Sequence, residues 1–179
     1  MIRVKRHSSG SVLVLVAMIC LGVESSRAQT PNKEPMDVLR AAINGSSYEM
    51  KNGDRVERYS YDAVNVAQCS LSWTETHEAK QPDQPTLREW SEIRLPLNLL
   101  DVSALKVEPL KSSGFLVPLL IRGLKPVIAS HQRTQWGDDP AYESFGTGAT
   151  GTAFYFRDRE AAQRVFMTIA SLAKPCRTE

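Results

Sequence analysis

Histidine and cysteine are scarce in this chain, with three of each among 179 residues. That scarcity excludes much chemistry. His77, His131, Cys69 and Cys176 lack the ligand spacing of a zinc site, and no cofactor-binding motif accompanies them. No serine sits in a GxSxG elbow, which removes the commonest hydrolase signature. No apolar run reaches the roughly 18 to 20 residues that span a bilayer. Internal repeats, low-complexity tracts and linker-like stretches are all missing, so the length points to one domain.

What is present begins with a leader. Arg3, Lys5 and Arg6 precede an apolar run from Val12 to Val23, and Ser26-Arg27-Ala28 ends with small residues at the two positions a signal peptidase reads. We expect a signal peptide over residues 1–28, cleaved after Ala28, and hence an exported protein, periplasmic or extracellular. An uncleaved signal anchor is the alternative, and it is the only membrane association the sequence suggests. Ile19 is too large for the position before a lipidated cysteine, so Cys20 is set aside. Removing the leader leaves 18 basic and 19 acidic residues. The mature chain then has no basic face of the kind nucleic acid requires.

Only Cys69 and Cys176 survive cleavage. An even pair in an exported chain reads as a disulfide, here joining a central strand to the end of the last helix. Residues 29–45 form a polar lead and a short helix over Met36 to Asn44, with Val38, Leu39, Ala42 and Ile43 on one side and Asn44-Gly45 as its stop. Residues 46–179 form the β-rich domain.

Within that domain Asn52-Gly53, between two strand-like runs, signals a hairpin. Val64 to Thr76 reads as one strand with Ala67, Cys69, Leu71 and Trp73 facing inward. Glu78 to Thr86 is a connection, a strand from Leu87 carries Ile93 and Leu95 inward as far as Pro96, and Leu105 with Val107 marks another short strand. Phe115 to Ile121 is apolar on both faces, as in a strand covered on each side. Val127 to Trp136 follows as a strand and Gly137 to Ala149 as a loop. Phe154 and Phe156 alternate in a last strand, and Asp158 is placed to cap a following helix. In that helix Ala162, Val165, Phe166, Ile169, Leu172 and Ala173 make one apolar stripe, before Pro175 ends it.

About seven antiparallel strands in hairpin order, closed by a C-terminal amphipathic helix, resembles the pleckstrin-homology-like barrel. The resemblance covers roughly residues 46–176 and implies an α+β, mainly β fold in which the helix plugs an open corner between two sheets. The helix tryptophan typical of that family is missing, and Phe166 or Phe154 is the residue to fill its volume. The phosphoinositide binding of some members would map onto Lys51 and Arg55. It is not carried over, because an exported domain does not meet that lipid.

Gly146-Thr147-Gly148-Ala149-Thr150-Gly151 matches GxGxxG but precedes a strand instead of opening a helix, so it reads as a flexible hairpin loop. His77, His131, Asp138 and Asp139 would make a hydrolase site only if loops brought them together. Trp90, Trp136 and His131 are the candidate binding surface, since exposed aromatics mark recognition patches. The expectation is a non-enzymatic exported domain that binds a protein or a small apolar ligand, or a structural accessory of the envelope. A small hydrolase and a signal-anchored envelope protein are the alternatives.

Overall fold

A computed structural model describes residues 33–111 and 113–177; the expected signal peptide and its cleavage site lie outside the described residues. The first element, α1 (Lys33–Ile43), buries Met36, Leu39 and Ile43 at three and four residue steps, while Val38, expected inside, is exposed. Its end is tied down from two sides. Asn44 Oδ1 accepts a hydrogen bond from the Val64 amide at 3.0 Å, and Gly45, at φ +72°, donates its N–H to the Tyr61 carbonyl.

A six-stranded antiparallel sheet follows, in the order β1 (Ser46–Asn52), β2 (Arg55–Ala67), β3 (Ser70–Lys80), β4 (Leu87–Pro96), β7 (Ile128–Trp136) and β8 (Tyr142–Ala149). It does not close on itself. A second sheet orders β5 (Glu108–Pro109), β6 (Phe115–Leu120) and β9 (Gly151–Phe156). The chain passes from β8 to β9 through Thr150 alone, so one bent ribbon joins the two layers. The mainly antiparallel α+β class expected from the sequence is what the chain adopts. Among the described residues there are nine strands, where about seven were expected.

Two differences have specific causes, one moving strand boundaries and the other adding a strand. The run Val64 to Thr76 is not one strand. It breaks at Gln68 and Cys69, both at positive φ (48° and 59°), which form a two-residue turn between β2 and β3; positive φ at both central residues matches the right-handed twist of hairpin strands. Cys69 therefore sits in the turn and not on the inward face. Its carbonyl accepts from the Leu97 amide at 2.8 Å, and its sulfur meets Cys176, with the two Cα atoms 5.5 Å apart. The predicted loop Gly137 to Ala149 is likewise mostly strand β8, because Gly146 stays extended and pairs with Ser130, while Gly148 is the extra residue of a bulge between the Thr147 and Ala149 pairs. Leu105 is buried in a turn, and the short strand falls after it, at β5.

Strand β2 carries an extra residue. Asp62 pairs with Thr74 but Asn65 pairs with Ser72, and Ala63 takes φ 55° at the bulge. The insertion switches parity, so Tyr61 before it and Val64 and Val66 after it all face inward. Around them pack Leu71, Trp73, Leu95, Leu97, Val117, Leu119 and Phe154. Each fully buried aliphatic side chain of this set contributes on the order of 1.5 to 3 kcal/mol.

The last helix, α2 (Arg159–Ala173), lies against α1, β6 and β9. Asp158 caps it by accepting from the Glu160 and Ala161 amides, both at 3.1 Å. Its buried face is Ala162, Val165, Thr168, Ile169, Leu172 and Ala173. Phe166 is only partly buried at the margin of the core, and Thr168 takes an inward place by returning its hydroxyl proton to the Arg164 carbonyl at 2.8 Å. Among the described residues no helix is long and apolar enough to cross a membrane.

Candidate functional site: a polar cleft on the inner face of the large sheet

Along β3 the inward positions run Leu71, Trp73, Glu75, His77 and Ala79, so the hydrophobic core gives way to ionisable groups halfway along the strand. The neighbouring strands change at the same level. Antiparallel register aligns Tyr61, Glu75, Ser91 and Gln132 in one row across the sheet, and Tyr59, His77, Glu89 and Thr134 in the next. Polar inward positions thus converge, because directly paired residues share a face.

A hydrogen-bonded network results. His77 Nδ1 lies 2.8 Å from Glu89 Oε2, and Gln132 Nε2 donates to Glu89 Oε1 at 2.9 Å. On the other side Tyr59 donates its hydroxyl to Glu57 Oε2 at 2.9 Å, while Arg55 Nε pairs with Glu57 Oε1 at 2.6 Å. His77 Nε2 is buried, makes no hydrogen bond, and stands 3.8 Å from Glu57 Oε2. The rings form a column. His77 stacks on Tyr59 at 4.6 Å, Tyr59 on Tyr155 at 4.5 Å, and Tyr155 on Tyr48 at 5.9 Å. Tyr48 leaves no room behind it: a Cβ on Gly114 would lie 2.4 Å from its ring, at φ +141°.

Glu75 stands at the centre of this arrangement with no ion pair among the described residues, and the Trp73 indole N–H is the one donor directed at it. Burial pushes its carboxyl up to about 7, against the pull of His77 and of the Trp73 indole, with Glu89 adding to the rise. The Trp73 N–H acts on Glu75 only weakly, since it closes no hydrogen bond although the residue is 2% exposed. Burial also raises Tyr59, Tyr61 and Tyr155 above the usual phenol range, so all three are neutral donors at physiological pH.

Glu75 and Tyr59 are not sealed in. Together with Tyr155 and the first residues of β9, Gly151 to Ala153, they line an open cleft of about 420 Å³ between the two sheets. A carboxyl that titrates near neutrality inside a cleft is the kind of group found at binding and catalytic sites. Among the described residues no three His, Cys, Asp or Glu side chains are arranged to hold a metal ion.

The residues singled out from the sequence fall elsewhere, and they do not form one surface. Trp90 and His131 share the outer face of the large sheet, where Arg133 lies 5.5 Å over the Trp90 ring and His131 stacks on the exposed Phe145 at 4.1 Å. A larger groove of about 720 Å³ runs over that face past Thr74, Glu92 and Arg94, whose charged groups stand in solvent. Trp136 has the opposite parity and lies at the far end of the inner face beside Leu87. Of the four residues considered for a hydrolase, His77 is inside the cleft network, His131 is on the outer face, and Asp138 and Asp139 belong to the turn after β7. They do not converge.

Sequence reasoning missed Glu75, Tyr59, Glu57, Glu89 and Tyr155. A signal was available in Trp73-x-Glu75-x-His77, where strand alternation forces a carboxylate and an imidazole onto the face that carries a buried tryptophan. Comparison of the chain with protein-family models, with curated proteins and with solved structures gives no match. The site's chemistry therefore has to be argued from its own residues.

Proposed function

We propose that this is a non-enzymatic binding domain that works outside the cytoplasm, with the inner-face cleft as its ligand site. The observation that carries the reading is Glu75, a largely buried carboxyl without a bonded partner on the floor of an open cleft. A group desolvated this far and left unpaired costs stability, and a ligand that completes its hydrogen bonding returns that cost. Binding is favoured over catalysis because His77 is committed to Glu89, and among the described residues it is hydrogen-bonded to no serine, threonine or cysteine hydroxyl or thiol.

Export is supported by the leader and by the Cys69–Cys176 disulfide, which is consistent with an oxidising compartment. The pleckstrin-homology-like barrel remains our reading of the architecture, on the strength of the antiparallel meander, the second small sheet and the C-terminal helix. It contributes nothing to the choice of ligand. Partners that are nucleic acids are not part of the proposal.

The test is a backbone NMR screen of the intact oxidised protein against small polar and aromatic compounds. Perturbations gathered at residues 59–61, 73–77 and 151–155 are expected. Perturbations gathered instead around Trp90, His131 and Phe145 would move the site to the outer face and overturn the assignment. Mass spectrometry of the exported protein should find a chain beginning at Gln29, and a retained leader would favour the anchored form.

A further inference from the structure

We propose that the cleft accepts a protonated amine joined to an amide, as at the N-terminus of a peptide, with the ammonium on Glu75 and the amide along the open edge of β9. This inference rests on the cleft being a ligand site and narrows that reading to a chemical class. Three observations support it.

The first is the sign of the charge. Glu57, Glu75 and Glu89 surround the site, the one permanent cation among them is Arg55, and Arg55 is already paired with Glu57 at 2.6 Å. An anion would meet repulsion here, whereas an ammonium finds an unpaired carboxylate.

The second is the edge of β9. Tyr155 donates its amide to the Tyr61 hydroxyl at 3.0 Å, so that N–H points away from β6. Hydrogen-bonding direction alternates along an antiparallel strand, which turns the N–H and C=O of Ala153 and Gly151 the same way. Pro118, opposite Ala153, has no N–H to offer and agrees with that phase. Gly151 to Ala153 line the cleft, so an extended ligand can pair with them as an added strand does.

The third is the indole of Trp73, a buried donor that closes no hydrogen bond and acts on Glu75. Once Glu75 is ionised, its second oxygen becomes an acceptor for that N–H.

Binding is coupled to a proton. The groups that face Glu75 are Glu57, Tyr59 and Tyr61 from β2, His77 from β3, Glu89 from β4 and Tyr155 from β9; β7 presents Gln132, which is uncharged. An ammonium binds the ionised carboxylate, so complex formation releases the Glu75 proton to solvent, and affinity rises with pH. For a group that titrates near neutrality the carboxylate fraction rises roughly tenfold between pH 6 and pH 8, and because an α-amino group is itself about half deprotonated at pH 8, the net gain is roughly fivefold.

The experiment titrates the intact oxidised protein with glycylglycine amide and with its N-acetyl derivative, by calorimetry and backbone NMR at pH 6 and pH 8. The free amine should shift residues 151–153, bind roughly fivefold more tightly at pH 8 than at pH 6, and lose at least tenfold on acetylation or in Glu75→Gln. Equal binding of the acetylated compound, or unchanged binding by Glu75→Gln with its thermal transition intact, overturns the proposal. If neither dipeptide binds but neutral phenol perturbs the cleft, the amine assignment fails while the ligand site stands. If no probe reaches the cleft, both fail.

Discussion

Replacing Glu75 by glutamine should stabilise the ligand-free protein, and by an amount that depends on pH. The fold holds this carboxyl near 7 against an ordinary value of 4.5, so between those limits the native state binds more protons than the unfolded chain. Stability contributed by the neutral carboxyl is therefore full below pH 4.5, falls as pH rises toward 7, and is gone above it. Each pH unit of displacement corresponds to about 1.4 kcal/mol, which makes the cost at pH 8 on the order of 3 kcal/mol. Glutamine keeps the shape and polarity of the protonated acid but never ionises. The variant should match the parent near pH 4.5 and exceed it at pH 8 by roughly 6 to 12 °C in midpoint for a domain of this size. Urea and thermal denaturation of both proteins at half-unit steps from pH 4.5 to 8.5 measure the difference curve, in which every other titration common to both cancels. A difference that stays flat with pH, or a variant that loses stability as pH rises relative to the parent, would refute the placement of Glu75 as a desolvated, unpaired acid. A sequence that keeps a residue destabilising at neutral pH, where one atom's change would relieve it, is spending stability on function.

Other parts of the structure make separate predictions. The Cys69–Cys176 disulfide spans 107 residues, and the loop-entropy relation assigns such a cross-link about 4 to 5 kcal/mol; denaturation of a Cys69→Ala, Cys176→Ala double variant should show that loss, and alkylation before reduction should label neither cysteine in the parent. Tyr61→Phe removes the acceptor for the Tyr155 amide and should cost about 1 to 3 kcal/mol for the stranded N–H, measured by the same denaturation and by faster hydrogen exchange at Tyr155. Asp158→Ala strips two amides of α2 of their cap and should cost about 1 kcal/mol, with hydrogen exchange quickening at Glu160 and Ala161 before the rest of the helix.

Much of the fold was legible because its signals are local. Asp158 before an amphipathic run, Gly53 after a strand-like stretch and Pro175 beyond a helix each act over a few residues, and each lies where the sequence places it. The pairing of Cys69 with Cys176 was legible by elimination once the leader was discounted. The strand break at Cys69 was not. Nothing in Ala67-Gln68-Cys69-Ser70 is a strong turn former, and two non-glycine residues at positive φ persist because their surroundings hold them: the disulfide on one side and the Leu97 amide on the other. Strand β8 was missed for the opposite reason. Its glycines advertise a turn, yet pairing with β7 selects an extended chain; only Gly151, just past the bend in β9, is held by close packing, since a Cβ there would lie 2.6 Å from Leu120.

The site was illegible for a deeper reason, which also bears on where to look in chains of this kind. Catalytic motifs are read from residues close in sequence, but Glu57, Glu75, Glu89 and Gln132 come from four strands and meet only through register. Exposed tryptophans drew attention instead, and parity sends Trp90 and Trp136 to opposite faces. The informative pattern was an ionisable residue at an inward strand position. Hydrophobic alternation fixes which face is inward, and a carboxylate found there must be paired, protonated or waiting for a ligand. Glu57 and Glu89 have ion-pair or hydrogen-bonded partners among the described residues, whereas Glu75 is approached there only by the Trp73 indole N–H. That contrast between adjacent rows of the sheet singles out Glu75, and it makes the difference between Glu75→Gln and Glu89→Gln diagnostic. The first should relieve the free protein. The second should injure it, because the single amide oxygen of glutamine cannot replace both Glu89 oxygens, one held to His77 and the other accepting from Gln132.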